Sequence, residues 1–203
     1  MDSFREATRV QAERIRNGSL DEKHPGAEQV HRSSWKYLAK VNEKGLITTN
    51  SQDAVNSYTG ETKSYERAFI EGYMPIEAAI LFVDRINLTF EDKIAMLVLS
   101  IPKETMTMPD GSIVKGVTIA VTQRFNETTG EWFRSAQMGG FQREEHLSIH
   151  KSWWSIPESF QMIGIQVFDT KWGRPARSKN GLFKAVIKTL NSSSLHRPNG
   201  IWA

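Results

Sequence analysis

A chain of 203 residues with 39% hydrophobic and 24% charged side chains is long enough to bury one core and too apolar to be disordered. It contains no cysteine, which excludes disulfides, thiolate metal sites and cysteine nucleophiles, and suits a reducing compartment. The net charge of +3 comes from interspersed acids and bases, a balance that argues against nucleic acid as a partner.

Residues 1–17 carry Phe4, Ala7 and Val10 at helical spacing, with Asn17-Gly18 as the stop. This charged start lacks the apolar centre of a signal peptide, and no apolar run approaches the length of a membrane span. The expectation is a cytoplasmic protein with no membrane partner. His24-Pro25-Gly26 breaks the connector, which divides the chain into a helix and connector over 1–26 and one ligand-binding domain over 27–203. A second helix is predicted over Ala27–Glu43, with Gly45 as its C-terminal glycine. Leu46-Ile47-Thr48-Thr49 predicts a short strand, and Asn50 to Lys63 a polar loop with little to bury. Alternation over Tyr65–Met74 predicts another strand, and Pro75 the first turn of a helix through Asn87. Strands follow at Ile94–Ile101, Ile113–Phe125, Glu131–Met138 and Gln161–Phe168. Met108-Pro109-Asp110-Gly111 and Asn126–Gly130 supply turns, and Leu182–Leu190 a closing helix. The short strand connections indicate an α+β fold, a mostly antiparallel sheet with flanking helices.

The informative segment is Gly45-Leu46-Ile47-Thr48-Thr49-Asn50-Ser51-Gln52. Strand alternation puts Thr48 and Asn50 on one face, with Thr49 and Ser51 on the other. Hydroxyls and amides at the end of a rigid strand suit a neutral polar ligand, such as a ribose, an adenine edge or an amino-acid head group. The same groups also cap loops by bonding their own main chain, and the pattern alone favours that role.

Together with Tyr65-Glu66-Arg67-Ala68-Phe69-Ile70-Glu71-Gly72-Tyr73, the run Asn42-Glu43-Lys44-Gly45 to Gln52 resembles the C-terminal regulatory domain of eukaryotic methylenetetrahydrofolate reductase. That family reads Asn-x-x-Gly-(Ile/Leu)-Leu-Thr-Ile-Asn-Ser-Gln, then a strand of the form Gln-Lys-Ala-Tyr-Leu-Glu-Phe-Phe. An uncharacterised family of small bacterial and phage proteins is similar too, and its Glu-Gly-Phe ending is the nearer one to Glu71-Gly72-Tyr73. The resemblance spans residues 35–87. It implies a sensor that binds S-adenosylmethionine or S-adenosylhomocysteine, with Thr48 and Ser51 touching the ligand and an upstream acid, here Glu28, assisting. Asp53 stands where the reductase has proline, Tyr58–Lys63 replaces its Trp-Gly-rich loop, and its flavin-binding barrel has no counterpart in a chain of this length.

The resulting expectation is a non-catalytic protein that captures an adenosyl or related nucleotide-like ligand and holds no other cofactor. A phage or viral member would sequester a nucleotide signal in the host cytoplasm. Thr48, Asn50, Ser51, Gln52 and Glu28 would supply contacts, with Arg67 and Glu71 on the adjoining strand. Arg174 and Arg177, in the basic stretch Lys171–Asn180, would hold a phosphate if the ligand carries one. Two alternatives stand beside this one. The first is a nucleotide hydrolase or transferase using His146 or His150 with Glu71; on a strand these histidines lie ~13 Å apart, too far to share a zinc, whereas on a helix they could chelate. The second is a virion or interaction protein that self-assembles as a homo-oligomer. No catalytic or metal-binding residue is assigned.

Overall fold

The apolar stripe of the first helix forms α1 (Asp2–Arg16), which buries Phe4, Ala7, Ala12 and Ile15. In the computed structural model, which describes residues 2–18, 32–90, 95–99, 104–107, 113–139 and 151–191, a 3-10 turn at Arg32–Ser34 leads into α2 (Trp35–Glu43). Residues 27–31 of the second predicted helix lie outside the described residues. Gly45, at φ 98°, closes α2 as predicted. There follow β1 (Ile47–Gln52), β2 (Asn56–Thr59), β3 (Thr62–Glu66), β4 (Phe69–Pro75) and α3 (Ile76–Phe90). Next come β5 (Ala95–Leu99), β6 (Glu104–Thr107), β7 (Ile113–Asn126), β8 (Glu131–Gly139), β9 (Met162–Asp169) and α4 (Leu182–Leu190). The fold is α+β with antiparallel sheets.

Three predicted boundaries change. The polar loop over 50–63 contains the end of β1 and a β2–β3 hairpin, turned at Gly60 with φ 58°. The single strand over 65–74 is two strands, β3 and β4, which pass at Arg67-Ala68 from one sheet to another. Pro75 ends β4 opposite Met162, and the helix begins one residue later. The Met108–Gly111 turn and the His146–His150 segment lie outside the described residues.

The first sheet runs β1-β4-β9-β5, with every neighbouring pair antiparallel. Its inner strands are buried along almost their whole length on both faces. Ile70, Met74, Ile165 and Val167, which share one face, belong to one core with Leu38 and Val41 of α2, Phe82 of α3 and Leu182, Phe183 and Val186 of α4. Each such side chain contributes about 2 kcal/mol of burial. On the other face Tyr73 meets Trp154 edge-on at 6.2 Å. Helix α1 belongs to the same core, and its Phe4 stacks on Phe160 at 5.4 Å.

The second sheet places β2, β3, β7 and β8 side by side at the β7–β8 turn, while β6 pairs with the opposite end of β7. The crossing between the sheets is stitched. The Asp169 amide donates to the Ala68 carbonyl at 2.8 Å and the Gly173 amide to the Glu66 carbonyl at 3.0 Å. Arg67 donates to the carbonyls of Asp169 and Thr170 at 2.9 and 2.7 Å, and its guanidinium lies over Trp172 at 4.0 Å. Among the described residues no helix is long and apolar enough to cross a membrane.

Candidate functional site

The register of β1 against β4 decides which way its polar side chains face. Thr48 pairs with Gly72, but Asn50, not Thr49, pairs with Glu71, so Thr49 is the extra residue of a β-bulge. Paired residues share a face. Thr48 therefore lies with Gly72 and Ser51 with Ile70 on one side, while Asn50 and Gln52 lie with Glu71 and Phe69 on the other. This corrects the simple alternation, which had Thr48 and Asn50 together. The bulge also brings Thr48 and Ser51 onto a common face, the pair singled out by the resemblance.

Thr48 and Ser51 are both buried. The Asn42 side chain fits Thr48 closely: its Oδ1 accepts the Thr48 amide at 3.0 Å, and its Nδ2 donates to Thr48 Oγ1 at 2.7 Å and to the Leu38 carbonyl at 2.8 Å. Gln11 of α1 donates to the Thr48 carbonyl at 3.3 Å. The Thr48 hydroxyl has thus accepted one bond and keeps its own proton to give.

Several buried polar atoms meet no hydrogen-bond partner among the described residues: Thr49 Oγ1 and Asn50 Oδ1 on β1, Oε1 of the Gln11 side chain that reaches the Thr48 carbonyl, and Ser34 Oγ ahead of α2. Gln11 and Ser34 are 2% and 1% exposed, which keeps bulk solvent from them. An unsatisfied buried polar group costs about 1–3 kcal/mol. Two of the four atoms are amide oxygens, which can only accept. Each of those two is satisfied only by an N–H or O–H donor.

On the face opposite Thr48, Asn50, Glu71 and Gln166 form a cross-strand row over β1, β4 and β9. Tyr73 lies next on that face; burial, with the Glu71 carboxylate adding to it, pushes its phenol well above the ordinary value. Gln52 points the same way and donates to Glu66 on β3 at 2.6 Å. The arginines sit elsewhere. Arg174 donates to both carboxylate oxygens of the fully buried Asp169, one at 2.7 Å. Arg177 bonds the Ser33 hydroxyl and lies 3.7 Å from the Asp53 carboxylate, whose Oδ1 also accepts the Ala176 amide at 2.6 Å. Arg67 is held at the sheet crossing. Glu28, His146 and His150 lie outside the described residues, and among the described ones no three His, Asp or Glu side chains converge as a metal site would require.

Gln11, Ser34 and Asn42 were not anticipated as neighbours of the strand. A signal existed for two of them. Gln11 interrupts the apolar stripe of α1 beside Ala12 and Ile15, and Asn42 opens the motif itself. No protein-family model matches the chain, and no curated protein matches it.

Proposed function

We propose that the chain captures a small adenosyl-type ligand at β1 without turning it over, and acts by sequestering it in the cytoplasm. The observation that carries this reading is that Thr49 Oγ1 and Asn50 Oδ1 on β1, and Oε1 of the Gln11 side chain that reaches the Thr48 carbonyl, are buried with no hydrogen-bond partner among the described residues. A nucleoside supplies what these atoms lack, because ribose hydroxyls and an exocyclic amine are donors. Thr48 and Ser51, buried together on the face opposite Asn50, offer hydroxyl protons to ring nitrogens on that face. Arg174 pairs with Asp169 and Arg177 lies beside Asp53, so this reading relies on nucleoside contacts and not on phosphate.

The test combines calorimetry with thermal melting. S-adenosylmethionine or S-adenosylhomocysteine should bind, and chromatography should recover it unchanged. Thr49→Val removes one partnerless oxygen at constant shape. Affinity should fall about tenfold, while the ligand-free chain keeps its stability or gains about 1 kcal/mol. An absence of binding heat for adenosyl compounds, ATP and ADP-ribose would refute the reading.

A further inference from the structure

We propose that two copies of this chain pair through the aromatic face of the β2-β3-β7-β8 ribbon. The strand registers place Tyr58, Lys63, Phe125 and Trp132 in one row across four adjacent strands, because Tyr58 pairs with Lys63, Lys63 with Phe125 and Phe125 with Trp132. Tyr65 sits in the next row on the same face, which runs Asn56, Tyr65, Gln123 and Arg134. Trp132 touches both Phe125 and Tyr65, at 4.9 and 6.0 Å between rings. Tyr58 and Trp132 remain 58% and 54% exposed. A contiguous exposed aromatic patch on a soluble chain marks an interaction surface.

The order of the row identifies the occupant. Two such faces stack as sheets do, about 10 Å apart. A two-fold axis parallel to the strands reverses the row, setting Tyr58 against the partner's Trp132 and Lys63 against the partner's Phe125. In the next row the same two-fold sets Arg134 against the partner's Asn56. That arrangement pairs ring with ring and cation with ring, and opposes no like charges. The surrounding charge suits a second copy better than a polyanion. Lys63 is paired with Glu127 at 2.5 Å and lies over its own Tyr58 at 5.6 Å, which leaves the row no free cation. The face, four strands wide and about five residues long, is ~19 Å by ~17 Å. Even with rough side chains it covers less than the ~800 Å² a side of a standard interface, so the dimer should dissociate on dilution.

Sedimentation of the full chain across concentration tests this. A reversible monomer–dimer equilibrium is expected, weakened about 30-fold by Trp132→Ser and similarly by Tyr58→Ser, with circular dichroism unchanged. Phe133 is 55% exposed on the opposite face of the ribbon, so Phe133→Ser should leave the dimer intact. A chain that is monomeric at every concentration would overturn the proposal. So would equal sensitivity to Phe133→Ser, or a monomer whose tryptophan fluorescence is quenched by an oligonucleotide or a glycan. Ligand capture at β1 is a separate outcome, since neither serine variant touches that strand.

Discussion

Arg174→Ala should lower the stability of the chain by about 3–5 kcal/mol, the largest loss expected of any single substitution considered for it. Asp169 is fully buried at the end of β9, and Arg174 meets both of its carboxylate oxygens while the Lys171 amide donates to Oδ1 at 2.8 Å. Without the guanidinium, a charge stays buried with only neutral help. Urea denaturation measures the loss directly, and for a chain of this size the melting temperature should fall by about 10 °C. Replacing both partners by apolar residues, as in Asp169→Leu with Arg174→Met, should recover much of that stability, because the pair's desolvation cost disappears along with its attraction. If Arg174→Ala proved neutral, this arginine would be available to a ligand phosphate after all.

Gly72→Ala should cost about 3 kcal/mol for a different reason. A Cβ at this position would stand 2.2 Å from the Ile47 carbonyl oxygen and 3.0 Å from the Thr48 Cα, both of them backbone. The bulge at Thr49 presses the β1 main chain onto β4, and neither strand can yield without breaking its ladder. Gly130 provides the comparison. It adopts φ 70° in an open turn with nothing within 4 Å of a Cβ, so Gly130→Ala should cost only about 1 kcal/mol through backbone strain. Parallel melts of the two variants separate crowding from strain. The same crowding bars any larger side chain at 72 from this register.

Elements that bury one side were legible in the sequence. The apolar stripes of α1 and α4 and the β-branched run of β9 gave their types and nearly their ends. The β2–β3 hairpin was not legible, because all four residues of β2 are exposed and a strand that buries nothing leaves no alternation. The break at Arg67-Ala68 was hidden for the opposite reason, since alternation runs through it while the chain changes sheets. Within the motif, the sequence indicated the strand β1 but not its facing. The bulge depends on the missing side chain of Gly72, more than twenty positions away, and no reading of β1 alone contains it. Asn42 and Gln11 reach Thr48 from two different helices, a convergence that only tertiary packing creates.

That convergence has a consequence for how the chain stays out of aggregates. Among the described residues β1 is the last strand of its sheet, and the Thr48 amide and carbonyl both point outward, where another polypeptide could add on. Side-chain amides occupy those two groups in place of a neighbouring strand. Helix α1 is thereby a guard as well as a packing element. A chain shortened past Gly18 should keep much of its secondary structure yet polymerise through the unguarded border, with thioflavin fluorescence rising as it does.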